Sequence, residues 1–166
     1  MINAKKGEFK LDGYDLVIHP GLSLSDFNRA DIPILETHSI EESGYTFHSF
    51  SGVIDALEAS FVIEFEHERL LSLRFQRNES NLIKEKMLEE EAKAKKTGNQ
   101  AQVTEVLNKW GKVLGQAHIE EQHKNDRWLE KLIGHPPPYE FDWGRIISHE
   151  DGYTGGAEIS IIFRQK

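Results

Sequence analysis

The sequence predicts an α+β protein, an antiparallel sheet of about five to seven strands with a helical hairpin inserted before the last two. Three observations predict it. "FVIEFEHERLLSLRF" (61–75) alternates apolar and polar residues with period two on both sides of a polar break. Residues 79–134 place their apolar side chains at helical spacing within a Glu-, Lys-, Leu- and Ala-rich stretch. "GHPPPYEF" (134–141) then stops the helical pattern, and alternation resumes. At 166 residues and 19.1 kDa the chain is most simply one domain: 1–78 mostly β with one short helix, 79–134 a helical hairpin, 139–166 a C-terminal β-hairpin.

Taken in order, "GEFKLDGYDLVIHPG" offers Phe9 and Leu11, a turn at Asp12-Gly13, then Leu16, Val17 and Ile18 before a Pro-Gly stop. "SLSDFNRA" starts a helix, with Ser23 or Ser25 as cap and Asp26 in the first turn. Pro33 keeps that helix short. A polar connection leads to a strand in "GYTFHSFSGV". In the central hairpin, matched apolar faces put Phe65 opposite Leu71, Ile63 opposite Leu73, Phe61 opposite Phe75 and, on the other face, Glu64 opposite Ser72. That parity asks for an odd loop, His67-Glu68-Arg69.

The first helix of the insert has Leu82, Ile83, Met87 and Leu88 as a narrow stripe and ends at Thr97-Gly98-Asn99. The second carries Val103, Val106, Leu107, Trp110, Leu114 and Ala117. Its stripe lapses through "HIEEQHKND" and returns at Trp128, Leu129 and Leu132, so a bend or break is expected near Gly111, Gly115 or 118–126. The closing hairpin sets Phe141, Trp143 and Ile147 against Ala157, Ile159, Ile161 and Phe163. A shared face for Phe141, Trp143, Ile147, Phe163, Ile161 and Ala157 leaves a bend of about seven residues, His149 to Gly155, and points Arg145 inward unless a bulge intervenes.

Composition narrows the chemistry. The chain has no cysteine, which excludes disulfides, thiolate catalysis and cysteine-bound zinc. No apolar h-region opens it and no apolar run reaches the ~18 residues of a membrane span, so a cytoplasmic protein without membrane attachment is expected. The net charge of −8 lies mainly in residues 1–78, with 7 basic against 13 acidic side chains, whereas 79–134 balances 10 against 10. Nucleic-acid binding needs a basic footprint, and none is written here. A basic protein partner would be attracted.

The candidate sites weigh as follows. The glycines of "HEDGYTGGAEISIIF" precede a strand, so they do not form a phosphate loop at a helix N-terminus, and the oxygens lack calcium-loop spacing. A bend is the first reading, a loop that touches a partner the second, with His149, Glu150, Asp151 and Tyr153 as its contacts. In "HIEEQH" the histidines are five apart, about 140° around a helix, and match neither zincin order. There is no G-x-S-x-G elbow, and no cofactor motif or catalytic signature. Pro136-Pro137-Pro138-Tyr139 matches a WW-domain ligand pattern, but helix termination followed by a strand accounts for it. On the central hairpin, Glu64 and Glu66 share the face opposite Phe61, Ile63 and Phe65, with Asp55 and Glu58 just before and Glu68 in the turn. Arg74 partly offsets them. A solvated sheet face is the plain account of this acidic surface, and recognition of a basic partner is the functional one.

"GEFKLDGYDLVIHPGLSLSDF", followed by "FVIEFEHERLLSLRF" and closed by "YEFDWGRIISHEDGYTGGAEISIIFR", resembles the layout of small bacterial immunity proteins of polymorphic toxin systems. The resemblance spans about half the chain and skips the helical insert. It implies a non-catalytic protein that neutralises a cytoplasm-acting toxin by occluding it, the partner being a basic toxin domain. Two readings of other classes stay open: an enzyme or ligand-binding domain with a His/acid cluster between sheet and helices, and a scaffold that homodimerises through its helical hairpin.

Overall fold

The computed structural model describes residues 2–77, 79–150 and 156–164, with side chains omitted at 79–82. It is an α+β fold with two antiparallel sheets. The small one has the order β1-β2-β3, from β1 (Ile2–Asn3), β2 (Glu8–Lys10) and β3 (Val17–Ile18). The large one is seven-stranded, in the order β4-β5-β6-β7-β10-β9-β8. Its strands are β4 (Ile34–Ile40), β5 (Tyr45–Ile54), β6 (Leu57–Glu66), β7 (Arg69–Arg77), β8 (Tyr139–Phe141), β9 (Gly144–Glu150) and β10 (Ala157–Phe163). Helix α1 (Leu24–Asn28) precedes β4, and α2 (Glu79–Lys96) with α3 (Gln100–Ile133) stands between β7 and β8. No helix among the described residues is long and apolar enough to cross a membrane.

The alternation of β6 produces one dry face. Leu57, Ala59, Phe61, Ile63 and Phe65 are buried, and they align with Phe50 of β5 and with Leu73 and Phe75 of β7. Phe50, Phe61 and Phe75 form a ladder across three strands, with ring centroids 5.2 and 5.3 Å apart. Such stacking is typically worth about 0.5–1.5 kcal/mol per pair beyond burial. Three elements close this face. The small sheet supplies Phe9, Leu11 and Ile18; α1 supplies Phe27, in ring contact with Phe50 and Phe65; α3 supplies Leu129, with Trp128 edge-on to Phe75. Ser23 caps α1, its hydroxyl accepting the N–H of Asp26 at 3.0 Å.

The central hairpin forms with the expected pairs Phe61–Phe75, Ile63–Leu73 and Glu64–Ser72, but reaches its parity differently. The turn has two residues, His67-Glu68, and the odd residue is Leu71, bulged on β7, so that Phe65 faces Leu70. An odd loop and an even loop with a bulge satisfy the same face pattern, which is why alternation alone did not separate them. The preceding turn, Asp55-Ala56, has both residues at positive φ, as a two-residue hairpin turn demands.

Three further expectations are corrected. The polar connection before Tyr45 contains β4, an edge strand exposed along its whole length, so it needs no alternation. The last segment holds three strands, because Asp142-Trp143 turns the chain between β8 and β9. Ile146, paired with Ile161, therefore points to the core where Ile147 was expected, and Arg145 faces the other way. Gly144 makes this possible: a Cβ there would lie 2.0 Å from the Ile162 carbonyl oxygen. Finally, α3 runs unbroken through Gly111, Gly115 and 118–126, about 50 Å at 1.5 Å per residue. Its apolar stripe lapses where Glu121 and Asn125 are buried, two turns and one turn before Leu129, and Arg77 Nε donates to Asn125 Oδ1 at 2.7 Å. Away from the sheet α3 packs on α2 through Val103 and Trp110, whose Nε1 donates to Glu90 at 2.8 Å. Leu82 lies among residues whose side chains are not described.

Candidate functional site

The face of the large sheet opposite the core carries the expected acidic residues. Register places its side chains in rows. One runs Ser51, Ser60, Gln76, Glu158, His149; the next Ser49, Val62, Arg74, Ser160, Ile147; the third Phe47, Glu64, Ser72, Ile162, Arg145. Glu58 and Glu66 extend β6 at either end of this surface, and Tyr45 stacks beside Phe47 with centroids 6.3 Å apart. The residues of β6 on this side range from half-buried to exposed, in contrast to the buried set of Phe61. It is one surface of mixed aromatic, aliphatic and acidic character, partly offset by Arg74 and Arg145.

The candidate acids separate into distinct roles. Glu64 accepts the hydroxyl of Ser72 at 2.9 Å, which holds its carboxylate across the strand pair. Glu66 pairs with Arg69 across the hairpin end. Glu58 is exposed and opposite Val53. Asp55 sits in the hairpin turn beyond the face, and the neighbouring Ala56 N–H donates to Asp12 of the small sheet at 3.2 Å. Glu68 turns away from the acidic surface: its carboxylate accepts the N–H of Ser25 at 3.0 Å and its carbonyl that of Leu24, which ties the hairpin turn to α1. So Glu58, Glu64 and Glu66 belong to one surface, while Asp55 lies in a turn beyond it and Glu68 ties the hairpin turn to α1.

His149 and Glu150 were expected in a bend, but both lie in the ladder, opposite Glu158 and Ala157. Asp151 and Tyr153 lie outside the described residues. His149 joins a cluster that sequence inspection missed. Its Nε2 is 3.0 Å from Ser160 Oγ and 3.5 Å from Glu158 Oε1, and Ser160 Oγ donates to Glu158 at 2.7 Å. The residue types are those of a hydrolytic triad, but the order is not. The hydroxyl proton is directed to the carboxylate, the carboxylate approaches the same imidazole nitrogen as the serine, and Nδ1 is engaged by the Glu150 carbonyl at 3.0 Å. Ser160 is 4% exposed, closed to a substrate. The cluster is a polar clamp joining β9 to β10. Its only sequence trace is the alternation of Glu158 and Ser160 with Ile159 and Ile161.

The remaining histidines do not assemble. His48 is buried between Phe27, stacked at 5.4 Å, and Thr37 Oγ1, 2.9 Å from its Nδ1; burial lowers its pKa from the ordinary 6.5. His118 of α3 is likewise held low, first by burial and then by Lys84, against an opposing pull from Glu150. His123 is exposed on the same helix, pointing away from His118 as the five-residue spacing requires. Among the described residues no three His, Asp or Glu side chains converge as a metal set. A concavity of about 570 Å³ opens between the loop after β3 (Pro20 to Leu22), the β6–β7 turn and Trp143, with Lys6, Glu68, Asp142 and Arg164 on its walls and no histidine. Comparison of the chain with protein-family models, with curated proteins and with solved structures finds no match to any of them.

Proposed function

We propose that this chain is a non-catalytic binding protein, an immunity-type inhibitor that occludes a cytoplasm-acting bacterial toxin with the open face of its large sheet. The observation that carries the reading is the asymmetry of that sheet. One face is sealed by the small sheet, α1 and α3, whereas the other presents Glu58, Glu64 and Glu66 beside Tyr45, Phe47 and Val62. Antiparallel sheets commonly leave one side to water, and alternation then makes that side largely polar. Here it combines paired aromatics with fixed carboxylates, the mixture that anchors protein interfaces.

The open part of the face is its β5–β6 half, where the strands are ten residues and about 30 Å long; towards β10 it closes, with Ser72, Glu158 and Ser160 buried. The partner is a basic domain. Complementary charge speeds encounter, and toxins that cut nucleic acid are basic because their substrate is polyanionic. Glu64, held by Ser72, loses little side-chain freedom when it meets an arginine or lysine. Co-purification from the native host, with identification of the bound protein, tests the reading. A basic toxin domain is the expected capture, and its loss is expected when Glu58, Glu64 and Glu66 are all changed to Lys.

A further inference from the structure

Every open sheet has two edges, and this one treats them differently. At the β8 edge the strand is three residues long and follows Pro136, Pro137 and Pro138, so little backbone is offered. The outer strands of the small sheet have two residues each. β4 is the contrary case. It has seven residues, pairs among the described residues only with β5, and is exposed at every position, with Leu35 at 70% and Ile40 at 53%. It contains no proline or lysine, the usual guards of such an edge. Its one irregularity is a bulge at Leu35, near the end that leaves α1.

The occupant is written in the strand. "ILETHSI" is nearly self-complementary about Thr37. A second β4, antiparallel and centred on that residue, sets Glu36 opposite His38, with Thr37 opposite its own copy, while the bulge at Leu35 leaves Ile34 outside the ladder. The Glu36 and His38 side chains already share a face, with Nε2 2.8 Å from Oε1, and both are more than half exposed. Across the dyad they alternate, each carboxylate flanked by two imidazoles. Shifting the dyad by one residue loses this: centred on Glu36 it opposes two carboxylates, and centred on His38 it opposes two imidazoles. Charge and hydrogen bonding therefore select both the partner and the register.

We propose that the chain forms a two-fold dimer by pairing β4 with β4 of a second copy, which makes one continuous sheet across both. The contact is isologous and closed, so it ends at two copies. It leaves both faces of each sheet free and does not depend on what the acidic face binds. Light scattering after size exclusion tests it, with an expected mass of twice 19.1 kDa at high micromolar concentration. Glu36→Lys, which sets a lysine against the partner's imidazole, is expected to weaken dimerisation by about tenfold. Because the chain has no cysteine, Thr37→Cys introduces a single thiol. It should link two copies with a short bis-maleimide, whereas Leu107→Cys on the exposed side of α3 should not. A mass of 19.1 kDa at all concentrations overturns the proposal. So does a dimer indifferent to Glu36→Lys that links through Leu107→Cys.

Discussion

The two faces of the seven-stranded sheet are made by the same strands, residue by residue in alternation, and they do opposite things. Phe61 and Val62 are neighbours in β6, yet the first is 1% exposed in a ladder of phenylalanines and the second lies half-buried between Ser49 and Arg74 on the open side. The packed face holds the fold together. Along β5 and β6 the other face is half-buried or exposed, so substitutions there should cost little stability. A protein that recognises another by a sheet surface gains from this division, since binding residues can change without repacking the core.

The difference can be broken most strongly at Phe61. Phe61→Ala removes the middle rung between Phe50 and Phe75 and is expected to cost about 3–5 kcal/mol. Val62→Ala next to it should cost well under about 1.5 kcal/mol, because its site is already half open to water. Urea unfolding of both variants gives the comparison, and similar losses would show that the open face is packed after all. Next in size is the polar seat of α3 on the sheet. Asn125→Ala takes the acceptor from Arg77 Nε in a buried setting and should cost about 1–3 kcal/mol, read from the same unfolding curves.

The smallest effect is a pH dependence that belongs to the packed face. The pKa of His48 is lowered by burial, so the unfolded chain binds its proton more readily than the folded one. The stabilisation is complete above the ordinary value of 6.5 and is lost as pH falls toward the lowered one. Thermal midpoints should therefore drop on acidification through 6.5, and His48→Phe, which keeps the stack on Phe27, should flatten that drop. His118, lowered in the same direction, leaves a residual slope. An unchanged pH profile in His48→Phe would contradict the assignment.

How much of this was legible in the sequence depends on how many sides of an element are buried. β6 and β7 are dry on one side and wet on the other, so their pattern gave pairing and faces directly. β4 is wet on both sides and carries no pattern. In the last segment Trp143 reads as a strand residue because it is large and apolar. It is buried in a turn, where Phe9 meets its ring at 5.7 Å and the Ala4 carbonyl accepts its N–H at 2.8 Å. That contact joins the two ends of the chain, and local periodicity holds no trace of it. The lapse in α3 misled for the same reason: Glu121 and Asn125 keep helical spacing with Leu129, but polarity hid their burial. At the candidate site the carboxylates of β6 were placed on the right face by alternation, whereas the bond that draws Glu68 to α1 joins residues 43 apart in the chain, and the one between His149 and Ser160 needs a hairpin register that the sequence pattern set differently.

The central claim is that the open face, and not the fold at large, recognises a basic partner. The most direct measurement is the affinity for the co-purified partner of the native chain and of Glu58→Lys/Glu64→Lys/Glu66→Lys, with thermal midpoints taken alongside. Affinity should fall by at least about a hundredfold, roughly 2.7 kcal/mol, while the midpoint stays within a few degrees. Unchanged affinity in a folded triple variant would contradict the account.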